Sequence, residues 1–276
     1  MTLVNSFAGR GIHLENRALF RISGPDRVRF LNGQVSNDVS GPLEKESVAA
    51  CLCSLKGKVE ALVWVSSDGD SLLLDGEISQ REQLQARLER YLIADDCEIS
   101  DETESHALIH HFVDKAEGIQ SQRTHSSGYD VWISLQKVSE LEMDLTIEAD
   151  DFQVAQLLYM VPRAGYEITG AEFPAELMLD QWAVNFHKGC YLGQEIVSRI
   201  QSVGRVKRLL RLLISDLEFA SCTKIRNELG EIGKITGPAV SNGEKKYLTF
   251  GIFTLPPGER QSADYQALSY TANEGP

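Results

Sequence analysis

Eight consecutive residues, Lys188-Gly189-Cys190-Tyr191-Leu192-Gly193-Gln194-Glu195, concentrate the chemistry of this chain. Cys190 is a candidate functional thiol, because a thiolate is both a nucleophile and a metal ligand, and Lys188 is a basic neighbour that favours the thiolate. His187 is a second candidate base. Behind the octapeptide, Ile196-Val197-Ser198-Arg199-Ile200-Gln201 has apolar residues at helical spacing and no breaker. That pattern predicts a tight loop feeding a helix, with the thiol near the first turn and its unpaired N–H groups. Two plainer readings stand beside this one. Cys190 is then an inert cysteine on a turn, or the motif is a folding staple. In the staple, Gly189 and Gly193 permit close backbone approach, and Glu195 pairs with Arg199 one turn on for about 0.2–0.5 kcal/mol. No resolving cysteine stands nearby, which argues against a dithiol cycle.

The elements that must position this loop are legible on both sides of it. Ala18–Ser23 reads as a strand, and Pro25-Asp26 opens a short helix through Leu31. Asn32-Gly33-Gln34-Val35-Ser36-Asn37-Asp38 is polar and turn-rich, suited to lining a cavity, although Asn37-Asp38 equally suits a turn cap. Val48–Ser54 and Val59–Ser66 are strands flanking Lys56-Gly57-Lys58, and Asp68-Gly69 marks a hairpin. Ser79–Ile93 is an amphipathic helix with a serine cap. Short strands follow near 97–99, 107–113 and 129–135, then a helix over 151–160 that stops at Pro162. Beyond Gly204 the texture turns to short strands at 206–215, 223–226, 232–236 and 247–253, with turns at 228–230 and at Asn242-Gly243. Such a unit reads as a small barrel.

At 276 residues the chain exceeds one comfortable core, so two or three units are expected: an α+β region over 1–204, with an N-terminal lobe of about 1–115, and a β unit over 205–276. Formal net charge is −13, which opposes direct binding to a phosphate backbone. The start of the chain lacks a basic segment followed by an apolar one, and no apolar run is long enough for a membrane span. The five cysteines, Cys51, Cys53, Cys97, Cys190 and Cys222, are scattered as in a protein of the reducing cytoplasm. Cys51 and Cys53 read as small residues buried on one face of a strand. His106, His110, His111 and His125 lack an accompanying carboxylate cluster, and the rings of His110 and His111 point apart on a strand, so no metal site is assigned.

The octapeptide and its flanks resemble the YgfZ family, relatives of the glycine-cleavage-system T protein. Asn185-Phe186-His187 precedes it, and Arg199, Gly204, Lys207 and Arg208 follow at the family's offsets. Gly33–Val39, Leu55-Lys56-Gly57-Lys58-Val59 and Pro174–Leu179 resemble three further recurrent stretches, with Met178 where asparagine is usual. The resemblance implies a T-protein-like cloverleaf of α+β folate-binding lobes finished by a C-terminal small β-barrel. It also implies tetrahydrofolate, or a one-carbon derivative, as the ligand, with no stably bound metal or cluster. The implied role is maturation or repair of iron–sulfur enzymes, including those of tRNA modification, through transient contact with iron–sulfur proteins or assembly factors. Folate contacts then fall to Gln34, Asn37, Asp38, Arg163, Tyr191, Gln194, Glu195 and Arg199.

Three departures qualify the implied chemistry. Ala61 and Leu62 occupy the stretch where the T protein carries an aspartate, so classical aminomethyl transfer is not expected. Arg163 stands at a different offset before Gly165, and Arg17 replaces a tryptophan near the pterin. A folate-dependent one-carbon transferase and a non-catalytic scaffold remain the alternative functions.

Overall fold

The structure is a computed structural model that describes residues 9–256, apart from 42, 44, 113–117, 122, 125–127, 142–145, 229 and 244–245, together with 268–269. His125 lies outside the described residues. The first half of the chain runs β1 (Arg10–His13), β2 (Arg17–Ser23), α1 (Arg27–Gln34), β3 (Val48–Cys53), β4 (Val59–Asp68), β5 (Ser71–Glu77), α2 (Arg81–Tyr91) and β6 (Glu98–Asp101). Then come β7 (His106–Phe112), β8 (Ile119–Ser121), β9 (Gly128–Ser134), α3 (Val138–Leu141) and α4 (Ala149–Leu158). The last part holds α5 (Gln194–Val203), β10 (Arg208–Ser215), β11 (Lys224–Asn227), β12 (Gly230–Ile235), β13 (Val240–Ser241), β14 (Tyr247–Thr254) and β15 (Leu268–Ser269).

Three sheets organise these elements: β3-β4-β5-β2-β6, β1-β7-β9-β8, and β11-β12-β14-β10-β15 with β13 on β14. The α+β class expected from sequence is what is seen. The third sheet is not closed into a barrel by the pairings of the described residues. The first sheet uses only part of the first 115 residues, because β1 and β7 pair with each other in the second sheet. Two local expectations change. Helix α1 continues through Gly33 and Gln34, which were read as turn, and α2 begins at Arg81 with no side-chain cap, so Ser79 does not cap it.

The first sheet is buried on both faces, and strand alternation sorts its side chains into two cores. Ala50, Leu52, Ala61, Val63 and Val65 pack with Phe30 and Leu31 of α1 and Leu84 and Leu88 of α2. Cys51, Cys53, Leu62 and Trp64 face the other way, onto Leu157 of α4, Val197 of α5, and Leu209 and Phe250 of the third sheet. That second face is the common floor on which the octapeptide's helix and the C-terminal sheet both rest.

A chain of buried charge joins the first two sheets. Arg17 Nε donates to Asp75 (2.8 Å), and Arg123 donates to both Asp75 oxygens (3.0 and 2.7 Å). Arg123 Nε reaches Asp130 (2.8 Å), whose other oxygen meets His110 Nδ1 at 2.7 Å. The guanidinium carbons of Arg17 and Arg123 lie 5.0 and 4.8 Å from the centroid of the Trp64 ring. Burial alone would raise the Asp130 pKa, but Arg123 and His110 outweigh it and hold the carboxyl below its usual range. A carboxylate depressed in the fold contributes stability above its unfolded pKa of about 3.9, and that contribution is lost as pH falls further. Arg123→Leu removes the cation shared by two buried carboxylates, leaving Asp75 with Arg17 and Asp130 with His110, and is expected to cost about 3 kcal/mol in urea unfolding at pH 7. Adding Asp130→Asn should recover part of the loss, and the deficit of Arg123→Leu should shrink towards pH 3.

Candidate functional site

The three other recurrent stretches, distant in sequence, meet in space around the octapeptide. Its anchor is Lys188. The half-buried ammonium donates to the carbonyl oxygens of Asn32 (2.7 Å), Val35 (2.8 Å) and Asn37 (2.7 Å). An ammonium has three hydrogens, so its donor capacity is fully used. Asn32 belongs to the last turn of α1 and Val35 is its cap, so the cation also meets the negative end of that helix. Burial lowers the Lys188 pKa to about 8, with Asp38 opposing, which leaves the group charged at neutral pH. The Leu192 amide then donates to the Gly33 carbonyl (3.2 Å), and the Asn185 amide to that of Ser36 (3.0 Å).

The other side of the loop is fixed by two glycines. Gly193, at φ +83°, leads into α5, and a Cβ there would collide with the Ser54 carbonyl oxygen. Gly57, at φ +70°, sits under the same helix, where a Cβ would lie 2.9 Å from Ile196 Cβ. Each glycine is needed both for a left-handed backbone and for the approach of the other's strand or helix. The fourth stretch closes the ring. Just ahead of it the Glu172 carbonyl accepts from Val59 N (2.8 Å), and within it the Glu176 carboxylate meets Arg208 at 3.1 Å. Met178 in that stretch is left-handed at φ +62°, a conformation asparagine tolerates better, which explains the residue usual at this place.

Cys190 is exposed at the tip of this scaffold. The spacing places it near the first turn of the helix, and in the structure it stands four residues ahead of the first helical residue, Gln194. No hydrogen bond holds its thiol among the described residues. Gly189 beside it has open space around its Cβ position and an ordinary φ, so the fold does not require glycine there. Tyr191 turns inward. It is 7% exposed, its hydroxyl has no partner among the described residues, and burial together with Cys53 and Cys51 beneath it raises its pKa. Burial and Glu60 push Cys53 up to about 12, and burial raises Cys51 as well, so these two thiols are inert.

The remaining sequence candidates divide. Gln34 accepts from Arg87 (2.8 Å), a buried arginine that also lies 4.1 Å from the Tyr91 ring. Asn37 Nδ2 donates to the Ala49 carbonyl (2.9 Å), and Asp38 accepts from the Ser40 amide and hydroxyl, which lowers its pKa. Asp38 thus caps its own turn, as the turn-cap reading had it, while Gln34 and Asn37 tie the segment to α2 and β3. Arg163 is clamped to the buried Glu167 carboxylate (3.0 Å) and the Pro238 carbonyl (3.2 Å), away from Cys190's loop partners. Gln194 opens α5, while Glu195 and Arg199 are exposed and no ion pair joins them. The staple's i,i+4 pair is therefore not formed.

Sequence reasoning missed Ser36, which is fully buried, accepts from the Cys51 amide (2.8 Å) and donates to the Ala183 carbonyl (2.6 Å). It also missed the Arg17–Asp75–Arg123–Asp130 chain. Asp75 after Leu72-Leu73-Leu74 carried a signal, a charge inside an apolar strand, whereas Arg123 sits in a connection and carried none.

Gly193→Ala combines left-handed strain with overpacking and should lower stability by about 2–4 kcal/mol, whereas Gly189→Ala should leave the urea midpoint unchanged. A thiol titration at pH 7 should show Cys190 and Cys222 reacting in the folded protein, and Cys51 and Cys53 only after denaturation.

No family model matches the chain. The "tRNA-modifying protein YgfZ" of Cronobacter sakazakii is 26% identical over 227 residues, covering 72% of this chain and 69% of its own length. That of Aliivibrio fischeri is 26% identical over 256 residues, covering 83% and 79%. The "Iron-sulfur cluster assembly factor IBA57 homolog, mitochondrial" of Pyricularia oryzae is 25% identical over 247 residues, covering 82% of this chain and 62% of its own. Among solved structures, the glycine cleavage system aminomethyltransferase T of Bartonella henselae superposes with a TM-score of 0.73 at 12% identity, over 91% of this chain and 80% of that one. The T-protein fold is thus shared. With the four recurrent stretches, these matches make the chain similar in sequence to the YgfZ family and its IBA57-type relatives.

Proposed function

We propose that this protein is a folate-binding factor that assists maturation or repair of iron–sulfur enzymes, with Cys190 as its working thiol. One observation carries the reading: four distant stretches are cross-tied to hold an exposed cysteine that the fold itself does not use. The names of the relatives, a tRNA-modifying protein and an iron–sulfur cluster assembly factor, supply the biological direction. Lys188 acts in this account by fixing the loop, and its hydrogens are spent on carbonyls.

A narrow cavity beside β4 has the donor set for a pterin edge. It is lined by Leu62, Trp64, Glu77, Gln80, Arg163 and Ile168, among others. Trp64 Nε1 and Gln80 Oε1 are buried there without partners among the described residues, one a donor and one an acceptor. Ala61 points to the opposite core, so β4 offers this cavity no carboxylate; Glu77 on β5 is the acid that lines it. The closed space is about 20 Å3, enough for one water, so a ring enters only as the lining shifts, which favours weak binding. A reduced folate bound there would supply one-carbon chemistry.

Cys190→Ser should melt like the parent protein yet fail to restore iron–sulfur enzyme activity in cells lacking the endogenous factor. Cys222→Ser, equally exposed, should restore it. Full rescue by Cys190→Ser at normal abundance would show the thiol to be dispensable. Calorimetry with tetrahydrofolate and folinic acid should show micromolar or weaker binding that Trp64→Phe reduces, and no heat at millimolar ligand would remove folate from the account.

A further inference from the structure

A second hollow, of about 600 Å3, opens beside Ile200 of α5, the 173–176 turn and the start of β10. Four cations line it, Lys58, Arg205, Lys207 and Arg208, against one carboxylate, Glu176. In a chain of net charge −13 such a gathering runs against the composition. Arg208 (3.1 Å) and Lys58 (3.9 Å) both lean on Glu176, and the Glu172 carboxylate behind it acts on both as well, so the uncompensated charge of the hollow rests on Arg205 and Lys207. Arg205 and Lys207 are exposed and have no ion-pair partner among the described residues. The Lys58 ammonium also lies 3.1 Å from the centroid of the Phe173 ring, so the wall holds a cation fixed over a flat apolar surface. The volume is that of a small-molecule site, about 300–1,000 Å3. Nothing in the Cys190 loop or the narrow cavity uses this hollow.

We propose that this hollow binds a small multivalent anion, a phosphate ester or a polycarboxylate. Arg205 and Lys207 attract it from solvent, Lys58 and Arg208 fix it against Glu176's neighbours, and Phe173 forms the apolar wall. A nucleic-acid strand fits less well, because the basic surface is confined to one hollow and the surrounding chain is acidic.

The test uses the full chain, with tripolyphosphate and citrate as probes at constant ionic strength and sodium chloride as the control. Saturable thermal stabilisation by either probe is expected, and the probe that acts separates phosphate from carboxylate chemistry. Arg205→Gln/Lys207→Gln should weaken binding by about tenfold or more while leaving the ligand-free melting temperature unchanged, since both side chains are exposed. Arg205→Glu/Lys207→Glu should abolish it. No stabilisation beyond sodium chloride, or equal affinity in the glutamine variant, would overturn the proposal. Tighter binding of an RNA oligonucleotide than of tripolyphosphate would overturn it as well.

Discussion

An ammonium group surrounded by three carbonyl oxygens underlies the geometry of this site. Lys188 spans about 150 residues of sequence to bind Asn32, Val35 and Asn37, and in doing so pins the octapeptide to the end of α1. The carbonyls at a helix end need donors, and a lysine placed there meets both that need and the helix dipole. Because the three bonds converge on one atom, the loop's position is set from three directions at once. The amide of Leu192 and the paired glycines, Gly57 and Gly193, then fix the path onward into α5. Cys190 is carried at the tip of an otherwise fully constrained turn.

This arrangement separates two roles that the sequence places side by side. Lys188, Gly193 and the inward-facing Tyr191 serve the scaffold, whereas Gly189 and Cys190 face outward and satisfy nothing inside the protein. A thiol with no internal duty, on a loop held this firmly, is suited to meeting a group brought by another molecule. Beneath it, Cys51 and Cys53 are inert through burial. The chain thus keeps its chemically available thiols at the surface, at Cys190 and Cys222.

Much of the fold was legible because it rests on local signals. Apolar runs of Val, Ala, Leu and Trp bounded by turn residues announced β3 and β4, short runs between turns announced the C-terminal strands, and Asp68-Gly69 announced its hairpin. The octapeptide was legible as a site because its residue types are dense and unusual. Its partners were not, because contacts such as Lys188 to Asn32 depend on tertiary closure and leave no spacing in the sequence. The resemblance assigns Asn37 and Asp38 to the ligand, whereas in the structure Asp38 accepts from Ser40 and Asn37 donates to the Ala49 carbonyl of β3. The start of α5 at Gln194, two residues ahead of the apolar spacing that begins at Ile196, follows from the left-handed backbone of Gly193, which breaks the loop there.

The central claim is that the Lys188 ammonium holds the Cys190 loop in place, and the Leu192 amide reports on it directly, since its bond to the Gly33 carbonyl exists only when the loop is docked. Native-state hydrogen exchange should be measured at this amide in the parent protein and in Lys188→Met. The account predicts that Leu192 exchanges about tenfold or more faster in the variant while amides of β3 and β4 keep their protection. Unchanged protection at Leu192 in a folded Lys188→Met protein would contradict it.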